Sequence, residues 1–185
     1  MPNLIKGFRS LEGFYVARDA INSMERRVRA LVAFYSETGN TEKAARAIAE
    51  GLERAGVEAV VKRVESLRPG EIGHFDLVCI GTPVHYAAPA SKVREFLERL
   101  PELNGKKAAI FCTYGFFGAS RTLAILRSIL EERKAEVLGE LKVAGTVYHF
   151  KPLLLRRGRP DAEDLAKCRK FGERLGRALL SGTTP

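Results

Sequence analysis

The order of apolar and polar residues along the chain predicts strands that alternate with helices. Three short runs are almost wholly apolar, and two others mix apolar with polar residues. Between these runs, apolar residues recur every three or four positions, which is the spacing of one face of a helix. The predicted strands are Arg29–Tyr35, Glu58–Val64, Leu77–Gly81, Ala108–Thr113 and Ala135–Ala144, and the predicted helices are Thr41–Ala55, Ser91–Leu100, Ser120–Arg133 and Pro160–Leu179.

Apolar strands that are separated by helices indicate a parallel sheet, because the connecting helices bury both faces of such strands. In an open sheet of this kind, ligands bind beyond the carboxyl ends of the strands, at the point where the strand order reverses. A functional site is therefore expected in the segments that follow the strands ending at Tyr35, Gly81 and Thr113.

The beginning of the chain differs from the rest. Apolar residues between Leu4 and Met24 recur at helical spacing, and the alternation of strands and helices starts only afterwards. We therefore predict a helical N-terminal extension over residues 1–27 and a separate α/β domain over residues 28–185. The strand pattern begins only after Met24, so residues 1–23 are expected to be dispensable for folding and for binding a ligand.

Charge, cysteine content and the length of the apolar runs indicate which partners and which cellular compartment suit the protein. Lysine and arginine outnumber aspartate and glutamate by 31 to 22, which gives a formal net charge of +9. This excess permits attraction to nucleic acid, anionic lipid or an acidic protein without choosing among them, and the spread of basic residues along the chain is the usual pattern of a solvated surface. Cys79, Cys112 and Cys168 are too widely spaced for a metal-binding motif, and their odd number is typical of the reducing cytoplasm. No apolar run reaches the roughly 20 residues that a transmembrane helix requires.

A run of hydroxyl and amide side chains follows the first predicted strand. It consists of Ser36, Glu37, Thr38, Gly39, Asn40 and Thr41. The start of the helix that follows offers unpaired backbone N–H groups and the positive end of the helix dipole, which together bind phosphate. Gly39 permits a tight turn close to an anion. The run lacks the lysine of a Walker loop, and its alternative interpretation is an ordinary turn with a Thr or Asn cap.

The segments after the third and fourth strands have the composition of ligand-binding loops. The first offers a threonine hydroxyl, a proline that stiffens the turn and a tyrosine ring able to cover an apolar ligand. The second offers two glycines that allow close approach and aromatic rings for stacking. The candidate residues are Thr82, Pro83, Val84, His85 and Tyr86 in the first, and Thr113, Tyr114, Gly115, Phe116, Phe117 and Gly118 in the second.

Several of these candidates also have a purely structural interpretation. His85 is a proton relay, a phosphate neighbour or an exposed loop residue that matters through its backbone, and nothing pairs with it nearby in sequence. Tyr86 either contacts the ligand or packs against the next helix. Phe116 and Phe117 either stack on the ligand or pack in the core. The sequence offers no candidate for acid–base catalysis and no metal-ligand cluster.

The segment from Leu31 to Lys43 resembles the FMN phosphate loop of flavodoxin-like proteins, in which an apolar strand precedes the pattern S/T-x-T-G-N-T. The segment from Gly81 to Ala90 is similar to a second pattern of that family, G-[ST]-P-V-x-x-x-x-P-[AS]. The resemblance covers about residues 28–181. It implies an α/β fold, the flavodoxin-like three-layer sandwich with a five-stranded parallel sheet in the order 2-1-3-4-5, with FMN as cofactor and the three loops as its binding residues.

The function that this resemblance implies is electron transfer through bound FMN. The alternative is an FMN-dependent oxidoreductase acting on a quinone or a porphyrin-like substrate, and a third possibility is a binding module that has lost the flavin, which an intact phosphate loop disfavours. Many electron-carrying flavodoxins are acidic and stack the flavin on a tryptophan, whereas this chain is basic and has none. The expected partner is therefore an acidic redox protein, with no nucleic acid involved. The segment Tyr148–Arg159 leaves open a homodimer contact, a membrane-surface patch or a packed loop.

Overall fold

Five long strands and four helices alternate along residues 27–146 and 158–182, the parts of the chain that the computed structural model describes. Two short 3₁₀ segments, Val64–Ser66 and Pro69–His74, connect the second strand to the third. The elements are β1 (Arg29–Phe34), α1 (Asn40–Arg54), β2 (Glu58–Arg63), β3 (Leu77–His85), the two-residue strand β4 (Ala88–Pro89), α2 (Ser91–Glu98), β5 (Lys107–Tyr114), α3 (Ala119–Glu132), β6 (Glu136–Ala144) and α4 (Ala162–Ser181).

The long strands form one parallel sheet in the order β2-β1-β3-β5-β6. This is the predicted order 2-1-3-4-5 once the long strands alone are numbered, so the predicted three-layer α/β sandwich is confirmed. Strand β1 pairs with β2 on one side and with β3 on the other, with Leu31 opposite Val60 and Val78. The strand order reverses between β1 and β3, which is where a ligand is expected in this class of sheet.

The sheet separates two apolar cores, because successive side chains of a strand point to opposite faces. On β1, Leu31 and Ala33 face one core while Ala30 and Val32 face the other, and all four are fully buried. Complete burial of a side chain the size of leucine stabilises the fold by roughly 1.5–3 kcal/mol. The first core is completed by Val93, Phe96 and Leu97 of α2 and Leu123, Leu126 and Leu130 of α3, and the second by Ile48 and Leu52 of α1 and Phe171 and Leu175 of α4.

Helices α1 and α4 lie side by side on one face of the sheet with their backbones in contact. A Cβ atom added at Gly51 would lie 2.1 Å from the carbonyl oxygen of Arg169, and one added at Gly172 would lie 2.1 Å from the carbonyl oxygen of Ile48. Any side chain at either position would therefore force the helices apart. The contact fixes α1, which begins at Asn40 beside the predicted phosphate loop, against the last helix of the chain.

Strand β3 is longer than the sequence predicts, because it continues past Gly81 to His85. Its extension pairs with β5 as far as Pro83 and then with the antiparallel strand β4 as far as His85. The prediction of a loop starting at Thr82 is therefore wrong in this detail. Proline and small residues had suggested an irregular loop, whereas pairing with two neighbours keeps the segment extended.

Two of the predicted segments lie outside the described residues. The proposed N-terminal extension does so except for its last residue, Arg27, and the division of the chain into residues 1–27 and 28–185 stays a prediction. The apolar and basic segment that begins at Tyr148 does so as far as Arg157. No helix within residues 27–146 and 158–182 is both long enough and apolar enough to cross a membrane.

Candidate functional site

The three predicted loops meet in one cleft at the carboxyl ends of β1, β3 and β5. The cleft opens where the strand order reverses, as expected for this class of sheet. It is lined by Ser36, Glu37, Thr38, Asn40 and Thr41 of the first loop, Pro83, Val84, His85, Tyr86 and Ala87 of the second, Thr113, Tyr114, Gly115, Phe116 and Phe117 of the third, and Gly145 and Thr146 after β6. Three of the predicted residues, Gly39, Thr82 and Gly118, do not line it.

The first loop ends in an uncapped helix. Gly39 is the residue before α1 and adopts a left-handed conformation with φ of 83°, and no side chain of residues 27–146 or 158–182 caps the first turn with a hydrogen bond. The Ser36 hydroxyl instead accepts a hydrogen bond from the backbone N–H of Gly39 at 3.1 Å, which closes the turn. The N–H groups at the start of α1 therefore face the cleft without a protein cap, which is the arrangement that binds an anion.

Two buried threonines join the first loop to the third. The hydroxyl oxygens of Thr41 and Thr113 lie 2.8 Å apart, and both side chains are buried. In such a pair one hydroxyl donates its hydrogen and the other accepts, so the accepting hydroxyl retains its own hydrogen for a further partner. The pair can thus hold the two loops together and still donate a hydrogen bond into the cleft that both residues line.

Arg63, at the end of β2, supports the phosphate loop from behind and was not predicted from the sequence. Its guanidinium donates a hydrogen bond to the carbonyl oxygen of Ser36 at 2.8 Å and lies over the ring of Tyr35, 6.0 Å from the centroid. It also forms ion pairs with Glu65 at 3.1 Å and Glu42 at 3.9 Å. Because Arg63 is 27 residues from Ser36, no local motif connects the two.

Thr82 lies behind the cleft. Its side chain is fully buried, and its hydroxyl accepts a hydrogen bond from the backbone N–H of Ala90 at 3.0 Å and donates one to the carbonyl oxygen of Pro83 at 2.9 Å. The sequence suggested that this hydroxyl reaches a ligand. In the structure its hydrogen is used within the hairpin that β3 forms with β4.

That hairpin presents Tyr86 at its tip. Tyr86 and Ala87 form the two-residue connection and have φ values of 50° and 59°, as in the type I′ turns that join antiparallel strands. The Tyr86 side chain is fully exposed rather than packed against the next helix. Gly118, with φ of 88°, lies so close that a Cβ atom there would be 2.6 Å from the Cα atom of Ala87. The second and third loops therefore support each other.

The third loop places its aromatic rings outside the core. Phe116 is 51% exposed and Phe117 is 76% exposed, so the interpretation that they pack in the core is not supported. Both line the cleft together with Tyr114 and Gly115. Exposed aromatic rings at the mouth of a cleft offer a stacking surface for a planar group.

An ionisable pair spans the mouth of the cleft between the first and second loops. The Nε2 atom of His85 lies 3.6 Å from a carboxylate oxygen of Glu37. The other carboxylate oxygen accepts a hydrogen bond from the hydroxyl of Tyr35 at 3.0 Å. This hydrogen bond, together with desolvation by burial, raises the pKa of Tyr35 above its ordinary value. His85 thus has a partner that its sequence neighbourhood did not reveal, because Glu37 is 48 positions away.

The end of β6 supplies a fourth wall that the sequence did not predict. The side-chain amide of Asn40 donates a hydrogen bond to the carbonyl oxygen of Thr146 at 3.2 Å, and the N–H of Gly145 donates one to the carbonyl oxygen of Tyr114 at 2.9 Å. This wall could have been predicted from the sequence, because the carboxyl end of β6 meets the same edge of the sheet as the carboxyl ends of β1, β3 and β5.

Within the described ranges, no group of three or more His, Cys, Asp or Glu residues could hold a metal ion. Cys79, Cys112 and Cys168 are buried free thiols, and burial raises the pKa of each to about 12. The chemistry of the cleft therefore lies in hydroxyl and amide donors, an uncapped helix start and aromatic rings. These groups fit a ligand with a phosphate at one end and a planar ring system at the other.

A doubly wound parallel sheet with a cleft where the strand order reverses defines an α/β protein of the class that binds ligands at this edge of the sheet. The comparison with known families is more specific, because the model of the family described as Flavodoxin matches residues 32–172. The chain belongs to the flavodoxin family. This membership places it among flavoproteins of the electron-transfer and oxidoreductase type.

Individual relatives match most of this chain. An uncharacterized protein of Methanocaldococcus jannaschii is 30% identical over 142 residues, covering 74% of this chain and 89% of that protein. A protein of Archaeoglobus fulgidus named NAD(P)H dehydrogenase (quinone) is 26% identical and is matched over 80% of this chain and 95% of its own length.

Solved structures show the same fold. A flavodoxin from the domain Archaea superposes with a TM-score of 0.70 at 22% identity, covering 83% of this chain and 99% of that one. The two-electron reduced flavodoxin of Megasphaera elsdenii superposes with a TM-score of 0.64 at 24% identity, covering 80% of this chain and 99% of that one.

Proposed function

We propose that this protein binds FMN in the cleft and transfers electrons between redox partners in the cytoplasm. One observation supports the proposal above all others: the uncapped start of α1 and the exposed aromatic rings of the second and third loops face the same cleft. The helix start suits a phosphate, and the rings suit a planar heterocycle. FMN combines these two groups at the ends of a short chain.

The first loop would hold the phosphate. Thr38 is exposed at the cleft, and the hydroxyl of Thr41 belongs to the pair that retains one free hydrogen. Among residues 27–146 and 158–182, neither a lysine nor an arginine lines the cleft, so backbone N–H groups and hydroxyls would bind the phosphate. Arg63 would stabilise the site indirectly, because its hydrogen bond to Ser36 fixes the turn.

The second and third loops would hold the ring. Tyr86, Phe116 and Phe117 offer their rings at the mouth, and the loop containing Gly115 allows the backbone to approach the polar edge of the heterocycle. FMN supplies the chemistry, which is the uptake and release of one or two electrons, while the protein sets its orientation and electrostatic surroundings. The pair formed by Glu37 and His85 would cover one side of the mouth.

Preference for FMN over riboflavin tests this proposal. Fluorescence titration should show one tight site for FMN and markedly weaker binding of riboflavin, which lacks the phosphate. Thr38→Ala should weaken FMN by roughly 1–2 kcal/mol, because a hydrogen bond to a charged group is lost, and should leave riboflavin nearly unchanged. Ser128→Ala, which removes a hydroxyl on the outer surface of α3, is the control. Equal affinity for the two flavins would refute the proposal.

The names of several relatives favour a second function. The Archaeoglobus fulgidus protein is named NAD(P)H dehydrogenase (quinone), which supports an FMN-dependent oxidoreductase acting on a quinone at the same cleft. Steady turnover with NAD(P)H and a soluble quinone would favour this enzyme. Rapid exchange of electrons with a protein partner without such turnover would favour the carrier.

A further inference from the structure

A series of hydrogen bonds connects the start of the last helix to the predicted phosphate loop. It begins at Asp164 in the first turn of α4, continues through Arg159 and Thr146, and ends at Asn40, the first residue of α1. We call these residues the supporting network. Asn40 and Thr146 line the cleft, whereas Arg159 and Asp164 do not. The network therefore joins the cleft to a segment that begins 106 positions after Asn40 in the sequence.

Asp164 is the buried anchor of the supporting network. Its side chain is 7% exposed, and one carboxylate oxygen accepts hydrogen bonds from the Arg159 guanidinium at 2.7 Å and from the backbone N–H of Asp161 at 3.2 Å. The Asp161 carboxylate accepts a hydrogen bond from the N–H of Asp164 at 3.0 Å and lies 3.1 Å from the guanidinium. A buried charge is costly unless it is paired in this way. Two carboxylates at the start of α4 therefore fix the position of Arg159.

The backbone carbonyl of Arg159 holds Thr146. It accepts hydrogen bonds from the hydroxyl of Thr146 at 2.6 Å and from its backbone N–H at 3.2 Å. The carbonyl of Thr146 in turn accepts the hydrogen bond from the Asn40 amide at 3.2 Å. Packing is close at this point, because a Cβ atom added at Gly145 would lie 3.3 Å from the amide nitrogen of Asn40. A displacement of Arg159 would therefore move Thr146, and with it the acceptor of the Asn40 hydrogen bond.

Asn40 determines where the uncapped start of α1 lies. It is 7% exposed, and it follows the left-handed turn at Gly39 as the first residue of the helix. A side-chain amide carries two hydrogens, so the nitrogen that donates to Thr146 can donate a second hydrogen bond into the cleft. Phosphate binding at a helix start depends on the direction of such N–H groups. The hydrogen bond to Thr146 helps to set that direction.

We infer that Arg159 and Asp164 are positioning residues of the phosphate site, although both lie at the start of the last helix and outside the cleft. This inference rests on the proposed function, because it concerns the same phosphate. The two residues act through Thr146 on Asn40 and do not contact the ligand. Because coupling between two sites is reciprocal, a phosphate bound at the start of α1 should also stabilise the first turn of α4.

Two substitutions that change the charge in opposite directions test the inference. Affinities of the full chain for FMN and for riboflavin are measured by fluorescence titration, and the ratio of the two affinities reports on the phosphate alone. Arg159→Met and Asp164→Asn should each lower this ratio by about fivefold, because each breaks the support of Asn40. Direct attraction between charges predicts a different result, in which loss of a cation weakens FMN binding and loss of an anion strengthens it.

Matched control substitutions lie on the same helix. Arg169→Met removes a cation whose ion pair with Glu50 joins α4 to α1, and Glu163→Gln removes an anion that is next to Asp164 and pairs with Lys167. Neither residue belongs to the supporting network, so each control should change the ratio by less than about twofold. Urea unfolding establishes that every variant is folded under the conditions of the titration.

Hydrogen exchange of the wild-type chain gives a second test that needs no substitution. The backbone N–H groups of Asp164 and Leu165 donate to Asp161 at the start of α4, and neither residue lines the cleft. Saturating FMN should slow their exchange about threefold more than saturating riboflavin does. The comparison is made relative to the N–H groups of Val93 and Arg94 at the start of α2, which should respond equally to both flavins.

The inference is overturned if Arg159→Met and Asp164→Asn move the ratio in opposite directions, if they weaken FMN and riboflavin equally, or if the controls lower the ratio as much. Equal hydrogen exchange with the two flavins would overturn it even where a variant fails to fold. An unchanged preference for FMN in both variants would refute the positioning role alone. A wild-type chain that binds FMN and riboflavin equally would instead refute the proposed function.

Discussion

The hydroxyl oxygens of Thr41 and Thr113 lie 2.8 Å apart in the buried floor of the cleft, although the two residues are 72 positions apart in sequence. Thr41 is in the first turn of α1 and Thr113 is near the end of β5. Their hydrogen bond is the direct link between the loop that would hold a phosphate and the loop that would hold a ring. Its integrity should matter for both stability and flavin binding.

Replacing one member of this pair should cost more than replacing both. Thr113→Val leaves the Thr41 hydroxyl buried without its partner and should lower the free energy of unfolding by roughly 1–3 kcal/mol. Thr41→Val should have a similar effect and should also weaken FMN. The double variant should be more stable than the sum of the single effects predicts. Urea unfolding of the four flavin-free proteins measures this coupling, and strictly additive effects would show that the two hydroxyls do not interact.

Removing the guanidinium of Arg63 should affect phosphate recognition more than ring binding. Arg63→Met deletes the hydrogen bond to the Ser36 carbonyl, and because the site is partly exposed we expect FMN to weaken by only about 1 kcal/mol. Riboflavin affinity should change little. Arg46→Met, which also removes a pairing with Glu42 but does not contact the loop, is the control. An equal loss of affinity for both flavins in Arg63→Met would argue against a role at the phosphate.

Gly118→Ala should displace the hairpin. The added methyl group would require φ near 88° and would clash with Ala87, so the free energy of unfolding should fall by about 1–3 kcal/mol. Gly73→Ala, where nothing lies within 4 Å of the added atom and φ is not positive, should change stability by about 0.5 kcal/mol or less. Thermal unfolding compares the two variants. Similar melting temperatures for both variants would show that the hairpin moves to accommodate the added methyl group at little cost in stability.

The cysteines should be inert in the folded protein. Burial raises the pKa of Cys79, Cys112 and Cys168 to about 12, so almost no thiolate is present near pH 8. A chromogenic thiol reagent should react slowly with the native chain and should titrate three thiols once the chain is denatured.

The same pKa shifts should make the fold less stable in alkali. Unfolded thiols ionise near their ordinary pKa of 9.0, whereas the folded thiols remain protonated. The contribution of the three thiols to the free energy of unfolding is therefore intact below pH 9 and falls as the pH rises towards 12. Rapid reaction of one thiol in the native state would show that its surroundings open locally.

Local patterns predicted the strands and helices well, because the apolar positions in each segment are the ones that the folded structure buries. The sheet order followed from the resemblance of Leu31 to Lys43 to a known loop, not from periodicity. Strand β4 and the extension of β3 to His85 were missed because two-residue pairings leave no periodic signal.

The candidate site was predicted less completely. Residues within a loop were found, but contacts between distant segments were not. Glu37 with His85 and Arg63 with Ser36 are brought together only by the folded sheet. Thr82 carries a hydroxyl of the kind that binds ligands, yet in the structure this hydroxyl forms its hydrogen bonds within the hairpin. The sequence shows which side chain is present, whereas the direction of that side chain depends on how the backbone pairs with neighbouring strands.

The close packing of Gly51 and Gly172 against opposite helix backbones has a consequence for biosynthesis. Helix α1 is made early, but the surface that covers it belongs to α4, which is made after every other element that the structure describes. Until then the apolar side of α1, with Ile48 and Leu52, has no partner helix. Because a domain folds as a unit during synthesis, the nascent chain should acquire its cofactor only after translation has passed α4, and a ribosome stalled before that point should hold a chain that cannot retain flavin.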